Sequence, residues 1–315
     1  MSTKQKKYNQ VEGGIYMESF KKLMGIIGRL VLLVLFMLGI MSLAGMIFFP
    51  IYYNLTGSEM QFVGQGLQNM TENELIIFQI FSNIMMILAV YITYKIFQEK
   101  DLISLGLKEK SFLKKGVEGS VWGIIFITIP FLIIWVFRSI NIVNINLNSM
   151  VIKSLGKGIL LYLAVAFGEE VVSRGYIYGL LKRYYGIKPA IIVTSLIFSL
   201  LHILNDNFLQ NPVPLISIFL AGILFGVSRE VTGGLWVPIG IHFTWNLFQG
   251  NIYGFEVSGM NFGLSVLEIE RVGHSLITGG EFGLEGILVT TILLVLFIYL
   301  HWWYYKQRNN FNEAN

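Results

Sequence analysis

Residues 117–136 read VEGSVWGIIFITIPFLIIWV, twenty consecutive residues with a single charged side chain. An α-helix needs about 20 mostly apolar residues to cross the hydrocarbon layer of a membrane. This stretch therefore predicts a transmembrane helix. Seven further apolar runs flank it, so we predict an all-α fold: a polytopic transmembrane bundle of about eight helices. The other runs are Met24–Phe49, Leu75–Phe97, Gly158–Leu181, Pro189–Leu204, Val213–Val227, Leu235–Ile252 and Gly283–Tyr305.

The overall composition agrees with a membrane protein. Hydrophobic residues make up 54% of the chain and charged residues only 13%, against about 25% charged residues in a soluble globular protein. Too few charges remain to cover the surface of a soluble domain this size, and the abundance of Phe, Ile and Leu excludes a disordered chain. The absence of Cys excludes a disulfide framework, thiol catalysis and thiolate metal sites.

The basic residues are distributed unevenly along the chain. If the N-terminus is cytoplasmic and the helices alternate in direction, 17 of the 23 Lys and Arg residues fall in inside segments and four in outside segments. An excess of Lys and Arg marks the cytoplasmic side of a membrane protein. We therefore predict a multi-pass protein of a bacterial cell membrane with both termini inside. The net charge of +4 then reflects membrane orientation, and membrane lipid rather than nucleic acid is the expected partner.

The fourth apolar run carries two adjacent carboxylates, Glu169 and Glu170, followed by Arg174. A charge at the bilayer centre costs roughly 2.5–3.5 kcal/mol on insertion scales, so each of these residues needs a reason to be there. Glu170 and Arg174 stand four residues apart, in the favourable order for a helical ion pair. Glu169 points about 100° further round the helix and has no local partner, which suits a general base. The alternative is that both glutamates only form buried salt bridges between helices.

Two histidines and an amide follow in later runs. His202 ends the fifth run, one helical turn after Phe198, and on its own indicates no more than a hydrogen-bonding side chain. In the seventh run, His242 and Asn246 share one helical face and can donate hydrogen bonds into a common cavity. Together with Glu169, these side chains supply a carboxylate, two imidazoles and an amide. That set suits water activation and oxyanion stabilisation in amide hydrolysis.

The order and spacing of these residues resemble a known family of intramembrane endopeptidases. This is the family of CAAX proteases and bacteriocin-processing enzymes, also called CPBP or Abi. Its pattern is Glu-Glu-x-x-x-Arg, then Phe-x-x-x-His, then His-x-x-x-Asn or Asp, all on membrane helices. The resemblance covers about Gly158–Gly250, and the matching residues are Glu169, Glu170, Arg174, Phe198, His202, His242 and Asn246.

The resemblance implies an integral-membrane endopeptidase with a glutamate-type mechanism. Glu169 and His202 would activate water, and His242 with Asn246 would stabilise the oxyanion. No metal or other cofactor is expected. The alternative is a zinc ion bound by Glu169, His202 and His242. The residues that would support the site structurally are Glu170, Arg174 and Phe198.

With the resemblance included, the sequence divides into four segments. We predict a cytoplasmic tail at residues 1–23 and N-terminal transmembrane helices at residues 24–140. Residues 155–252 would form the catalytic core, similar to the CAAX proteases. Residues 283–315 would form the final transmembrane helix and a short tail.

Two other functional classes stay open. A catalytically inert membrane scaffold with the same fold would normally have lost a motif residue, and none is lost here. A proton-coupled transporter also uses intramembrane Glu and His, but transporters often show repeated halves, and no internal repeat is apparent. The predicted function is therefore hydrolysis of a membrane-associated peptide or protein.

Overall fold

The structure is a computed structural model that describes residues 3–56, 71–97, 105–205 and 213–314. Helices account for most of this part of the chain. In order they are α1 (Thr3–Thr56), α2 (Glu72–Ile96), α3 (Phe112–Val136), α4 (Ser149–Glu170), α5 (Tyr178–Tyr185), α6 (Ile187–Leu201), α7 (Val213–Thr232), α8 (Trp236–Leu247), α9 (Ser275–Thr278) and α10 (Leu288–Ala314).

The predicted all-α polytopic bundle is confirmed. Six helical segments within the described ranges are long and apolar enough to cross a membrane. The fifth and seventh predicted runs fall on α6, of 15 residues, and on α8, of 12 residues, which are both shorter than a full span. The predicted count of eight spans is therefore not confirmed. The six segments are Phe20–Leu55, Glu72–Ile96, Phe112–Val136, Ser149–Tyr185, Val213–Thr232 and Leu288–Asn310.

The N-terminal helix starts earlier than the sequence indicated. Its apolar run was predicted to begin at Met24, after a tail at residues 1–23, but α1 already begins at Thr3. Most of the predicted tail is thus a helical extension of the first span, and Met1 and Ser2 lie outside the described residues. The cytoplasmic location of this segment, and the division of the chain into four segments, stay predictions.

A π-helical segment, Val171–Ile177, joins α4 to α5 without a break. The fourth predicted run is therefore part of one helical unit from Ser149 to Tyr185. A π segment inserts an extra residue into a turn and is frequent at functional sites. This one begins directly after Glu170 and contains Arg174, so it lies at the first predicted motif.

Glycines allow α3 and α8 to pack in close contact. A Cβ atom at Gly119 would stand 2.1 Å from the carbonyl oxygen of Val237, and one at Gly240 would stand 2.3 Å from that of Gly116. Any larger residue at these positions would push the two helices apart. Small residues favour such close helix pairs in membranes. The contact fixes α8, the helix that carries the third motif, against the centre of the bundle.

A two-stranded antiparallel sheet joins two distant segments that the sequence analysis did not predict as strands. Strand β1 (Ile140–Ile145) pairs with β2 (Leu267–Arg271), and Ile140 lies opposite Arg271. Four of the predicted runs lie between the two strands in the sequence. Because the strands pair, they lie at the same end of the bundle.

The opposite end is formed by the start of α3 and the ends of α5, α7 and α10. The backbone carbonyl groups of Val231 and Thr232, at the end of α7, accept hydrogen bonds from Asn309 and Lys115. All of these segments were predicted to lie on the cytoplasmic side of the membrane, and that location stays a prediction. Two ion pairs join the same helix ends, Lys182–Glu230 and Arg308–Glu118, and Lys115 also pairs with Glu109 just before α3.

Candidate active site

The four residues predicted to be catalytic line one cavity of about 330 Å³. Glu169 lies in the last turn of α4. His202 begins a 3₁₀ turn, His202–Leu204, that directly follows α6. His242 and Asn246 lie on successive turns of α8. The structure thus brings together every member of the predicted set, from the three runs that were expected to converge.

Glu170 and Arg174 form the predicted ion pair, with 2.9 Å between Arg174 Nη1 and Glu170 Oε1. Both side chains are fully buried. Arg174 Nη2 also donates a hydrogen bond to the carbonyl oxygen of Gly222 on α7 at 3.2 Å. Its guanidinium carbon lies 4.3 Å from the ring centroid of Phe198 and 5.1 Å from that of Phe225. The buried cation is therefore compensated by a carboxylate, a carbonyl group and two aromatic faces.

His242 joins the two glutamates of the first motif. Its Nδ1 lies 3.2 Å from Glu170 Oε1, and its Nε2 lies 3.9 Å from Glu169 Oε2. Its ring stacks on Phe225 with a centroid distance of 5.0 Å. Within the described residues, no ion pair joins Glu169 to a side chain of its own helix, as the sequence predicted, whereas the contact with α8 was not predicted. A ring flanked by two carboxylates suits an imidazolium, which donates from both nitrogens.

The ring of His202 is held by its own helix. Its Nδ1 lies 2.8 Å from the carbonyl oxygen of Phe198, which can only accept, so Nδ1 carries the proton in this hydrogen bond. The two rings also pack with centroids 4.7 Å apart. In the neutral ring this leaves Nε2 as a proton acceptor, and the side chain lines the cavity. Phe198 thus contacts both His202 and Arg174, and its supporting role stays a prediction.

Asn246 is available to a ligand in the cavity. Its side chain is 5% exposed, and within the described part of the chain it makes no hydrogen bond to another protein group. A buried amide normally finds a hydrogen-bond partner. An amide that faces a cavity without one is suited to donate to a developing oxyanion.

The rest of the cavity wall is largely apolar. Residues from α2, α4, the π segment and the loop after α8 contribute to it, so the polar groups cluster against one part of an apolar lining. Ligand cavities in proteins commonly combine such a lining with a few convergent polar groups. The apolar residues are Met86, Val165, Val172, Leu201, Val257, Met260 and Phe262.

Sequence reasoning missed two polar residues at the site, Ser258 and Glu285. Both line a narrow recess of about 20 Å³ together with His202, His242 and Asn246. Glu285 precedes α10, outside the spans, and burial raises the pKa of its carboxyl group, although hydrogen bonds from Ser258 oppose this. A signal was present, because Glu285 falls in the run Gly283–Tyr305 that was predicted to span the membrane. A charged side chain in an apolar run needs a reason to be there, and this argument, used for Glu169, applied equally to Glu285.

The residues do not fit the alternative of a bound zinc ion. Within the described ranges, no three His, Cys, Asp or Glu side chains converge closely enough to hold a metal ion. Tetrahedral zinc sites require at least three such ligands at about 2.0–2.3 Å. His242 is oriented by Glu170 through one nitrogen and lies closest to Glu169 through the other. Catalysis without a metal stays a prediction.

The fold and cavity define a class of protein: a polytopic helical membrane protein with a carboxylate, two imidazoles and an amide in one embedded site. Comparison with protein families found a match. Residues 151–248 match the family described as Type II CAAX prenyl endopeptidase Rce1-like. This match confirms the family that the three motifs predicted and supports a membrane-embedded protease. A search of curated proteins found no significant match.

Proposed function

We propose that the protein is an intramembrane endopeptidase that cleaves a membrane-associated peptide or protein with water activated by Glu169 and His202. The observation that carries the proposal is the convergence of four predicted residues on one cavity with largely apolar walls. A polypeptide segment from the membrane would place its side chains against the apolar lining. Its scissile carbonyl group would face the polar cluster.

The arrangement supports a specific sequence of proton transfers. Glu169 accepts a proton from water, with His202 Nε2 sharing or relaying it, and the water oxygen attacks the carbonyl carbon. The carbonyl oxygen then carries negative charge, which Asn246 and His242 stabilise by hydrogen bonds. The carbon–nitrogen bond breaks when the amine leaves with a proton returned from Glu169. The products are a carboxylate and an amine.

His242 can serve as an oxyanion donor because Glu170 fixes its ring. The Nδ1 proton of His242 is directed to Glu170, so in the imidazolium form Nε2–H is free to donate elsewhere. Glu170 is in turn held by Arg174. Charged groups held in place before the reaction stabilise a transition state more effectively than groups that must reorganise.

The membrane setting is part of the proposal. Several helices are long and apolar enough to cross a membrane, and the protein is a multi-pass membrane protein. We propose the cell membrane of a bacterium, with both termini in the cytoplasm. The pairing of β1 with β2 agrees with alternating helices, because it places both strands on one side of the membrane. The excess of Lys and Arg in the predicted inside segments is what supports the cytoplasmic location of the termini.

The experiment compares membrane peptides from cells that express the wild-type protein and a Glu169→Gln variant. The amide of Gln cannot accept the proton, so peptide cleavage should be almost abolished while the protein stays folded. Glu281→Gln makes the same chemical change at an exposed position and is the matched control. Cleavage products that depend on Glu169 but not on Glu281 would support the protease. An identical peptide pattern in all three strains would contradict it and favour an inert scaffold.

A further inference from the structure

Glu285 is held at the site by a second segment of chain. Its Oε2 accepts two hydrogen bonds from Ser258, one from the backbone N–H at 2.9 Å and one from Oγ at 2.8 Å. Ser258 lies in a tight turn in which Val257 and Met260 exchange backbone hydrogen bonds of 2.8 and 3.0 Å. Glu285 and Ser258 both lie beyond residues 151–248, the part that matches the family.

The turn at Ser258 has an unfavourable backbone conformation that contacts with other residues must stabilise. Ser258 has φ of 50° and Gly259 has φ of 85°, the positive values typical of a two-residue type I′ turn. Gly adopts this conformation readily, but Ser does so only rarely. The two hydrogen bonds to Glu285 hold Ser258 in this unfavourable backbone conformation.

The same turn is connected to the catalytic histidine. The Nδ2 of Asn205 donates a hydrogen bond to the carbonyl oxygen of Ser258 at 3.1 Å. The backbone N–H of Asn205 donates to the carbonyl oxygen of His202 at 3.0 Å, closing the 3₁₀ turn that begins at His202. A continuous chain of hydrogen bonds therefore runs from Glu285 through Ser258 and Asn205 to His202.

We propose that Glu285 is a positioning residue for His202, acting through Ser258 and Asn205. The proposal rests on the proposed function, in which His202 shares the proton taken from water. On α6, the carbonyl oxygen of Phe198 accepts a hydrogen bond from the His202 ring and so restrains it. The chain of hydrogen bonds from Glu285 restrains the end of the His202–Leu204 turn through Asn205. Together, the two restraints fix the direction of His202 Nε2. Loss of Glu285 would let the His202–Leu204 turn move without removing any catalytic group.

The kinetic test uses Glu285→Ala and Glu285→Gln. The Ala variant removes the acceptor for Ser258, and its kcat should fall by about 10²-fold, as expected when a catalytic group is displaced by about 1 Å. KM should change less than kcat, because Glu285 itself does not line the larger cavity and no side chain of its wall is removed. The Gln variant keeps an oxygen that can accept both hydrogen bonds, so it should recover most of the lost kcat. If Gln is as slow as Ala, or if Ala is as fast as wild type, the positioning role is wrong.

A second link of the chain provides an independent variant. Asn205→Ala removes the hydrogen bond between the His202–Leu204 turn and Ser258 and leaves Glu285 in place. Its kcat should fall in the same way, and the double variant with Glu285→Ala should be little worse than either single variant. Additive losses would show two separate effects and would contradict the proposal. If Glu285→Ala does not fold, the Asn205→Ala single variant decides the question, because a wild-type kcat in Asn205→Ala would contradict the proposal.

Amide hydrogen exchange in the purified full-length protein separates this proposal from the proposed function. Peptides that contain His202 and Asn205 should exchange faster in Glu285→Ala than in wild type or in Glu285→Gln. Glu281→Ala, at an exposed position nearby, should have no such effect. Faster exchange without any peptidase activity in the wild type would refute the proposed function and retain the coupling. Unchanged exchange would refute the coupling whether or not the protein is a peptidase.

Discussion

The Nδ1 of His242 lies 3.2 Å from Oε1 of Glu170, the same oxygen that receives the hydrogen bond from Arg174. One carboxylate oxygen thus joins an arginine of its own helical unit to a histidine of α8. The ion pair that the fold needs to bury Glu170 is also the support for a group at the candidate site. Stability and site geometry are therefore coupled at this point.

Replacing Arg174 by Ala should destabilise the protein as well as reduce activity. The change leaves Glu170 fully buried without its cationic partner, which typically costs about 3–5 kcal/mol. Protein abundance and the melting temperature in detergent measure the effect. Arg183→Ala, an exposed arginine of α5, is the matched control and should melt like wild type. Normal abundance and melting of Arg174→Ala would show that the pair is not structural.

Removing the amide of Asn246 should slow cleavage without unfolding the protein. Loss of one oxyanion donor typically lowers kcat by about 10²–10³-fold, and the Asn246 amide has no other hydrogen bond to lose within the described part of the chain. Single-turnover rates of Asn246→Ala measure the effect. The exposed Asn141 of β1 provides the control, because Asn141→Ala makes the same change away from the cavity. An unchanged rate in Asn246→Ala would remove this residue from the proposed mechanism.

His242→Ala should lower both the rate of cleavage and the stability of the protein. It removes an oxyanion donor and also takes away the hydrogen-bond partner of Glu170 on α8. We therefore expect a fall in kcat of about 10²–10³-fold together with a lowered melting temperature, whereas Asn246→Ala lowers kcat alone. Enzyme rate and thermal unfolding are measured on the same preparation. A His242→Ala protein with wild-type melting behaviour would show that the Glu170 contact adds nothing to stability.

Local patterns in the sequence were sufficient for part of this site. The spacing of Glu170 and Arg174 predicted their ion pair, because residues four apart are neighbours on a helix. The shared face of His242 and Asn246 followed from the same periodicity, and both residues line the cavity. The membrane class followed from composition and from the length of the apolar runs.

Contacts between distant segments could not be predicted in this way. Nothing near His242 in the sequence indicates that it meets Glu170, 72 residues away. The pairing of β1 with β2 depends on the folded bundle, and a six-residue strand after a long helix has no distinctive pattern. The π segment after Glu170 likewise departs from the regular α-helix that the apolar run predicted. Glu285 is different, since its charge within an apolar run was visible and was overlooked.

Reporter fusions test the predicted orientation. Reporters attached at Ser111 and Asn310 should lie in the cytoplasm, and one inserted at Gly273, between β2 and α9, should lie outside. The physical basis is the excess of Lys and Arg in the predicted inside segments, which meet at one end of the bundle. A reporter that is fluorescent only inside and an enzyme that is active only outside give opposite signals at each position. An outside location of Ser111 or Asn310 would overturn the orientation.

Exhaustive chelation should leave the peptidase fully active. The proposed mechanism takes its base from Glu169 and its oxyanion donors from His242 and Asn246, so no step needs a Lewis acid. Elemental analysis of the purified protein should find no stoichiometric metal, and added zinc should not increase the rate after chelation. A zinc enzyme would behave differently, because a metal held by Glu169, His202 and His242 would be present at about one per chain. Reversible loss of activity on chelation, restored by zinc, would replace the glutamate mechanism with metal-assisted hydrolysis.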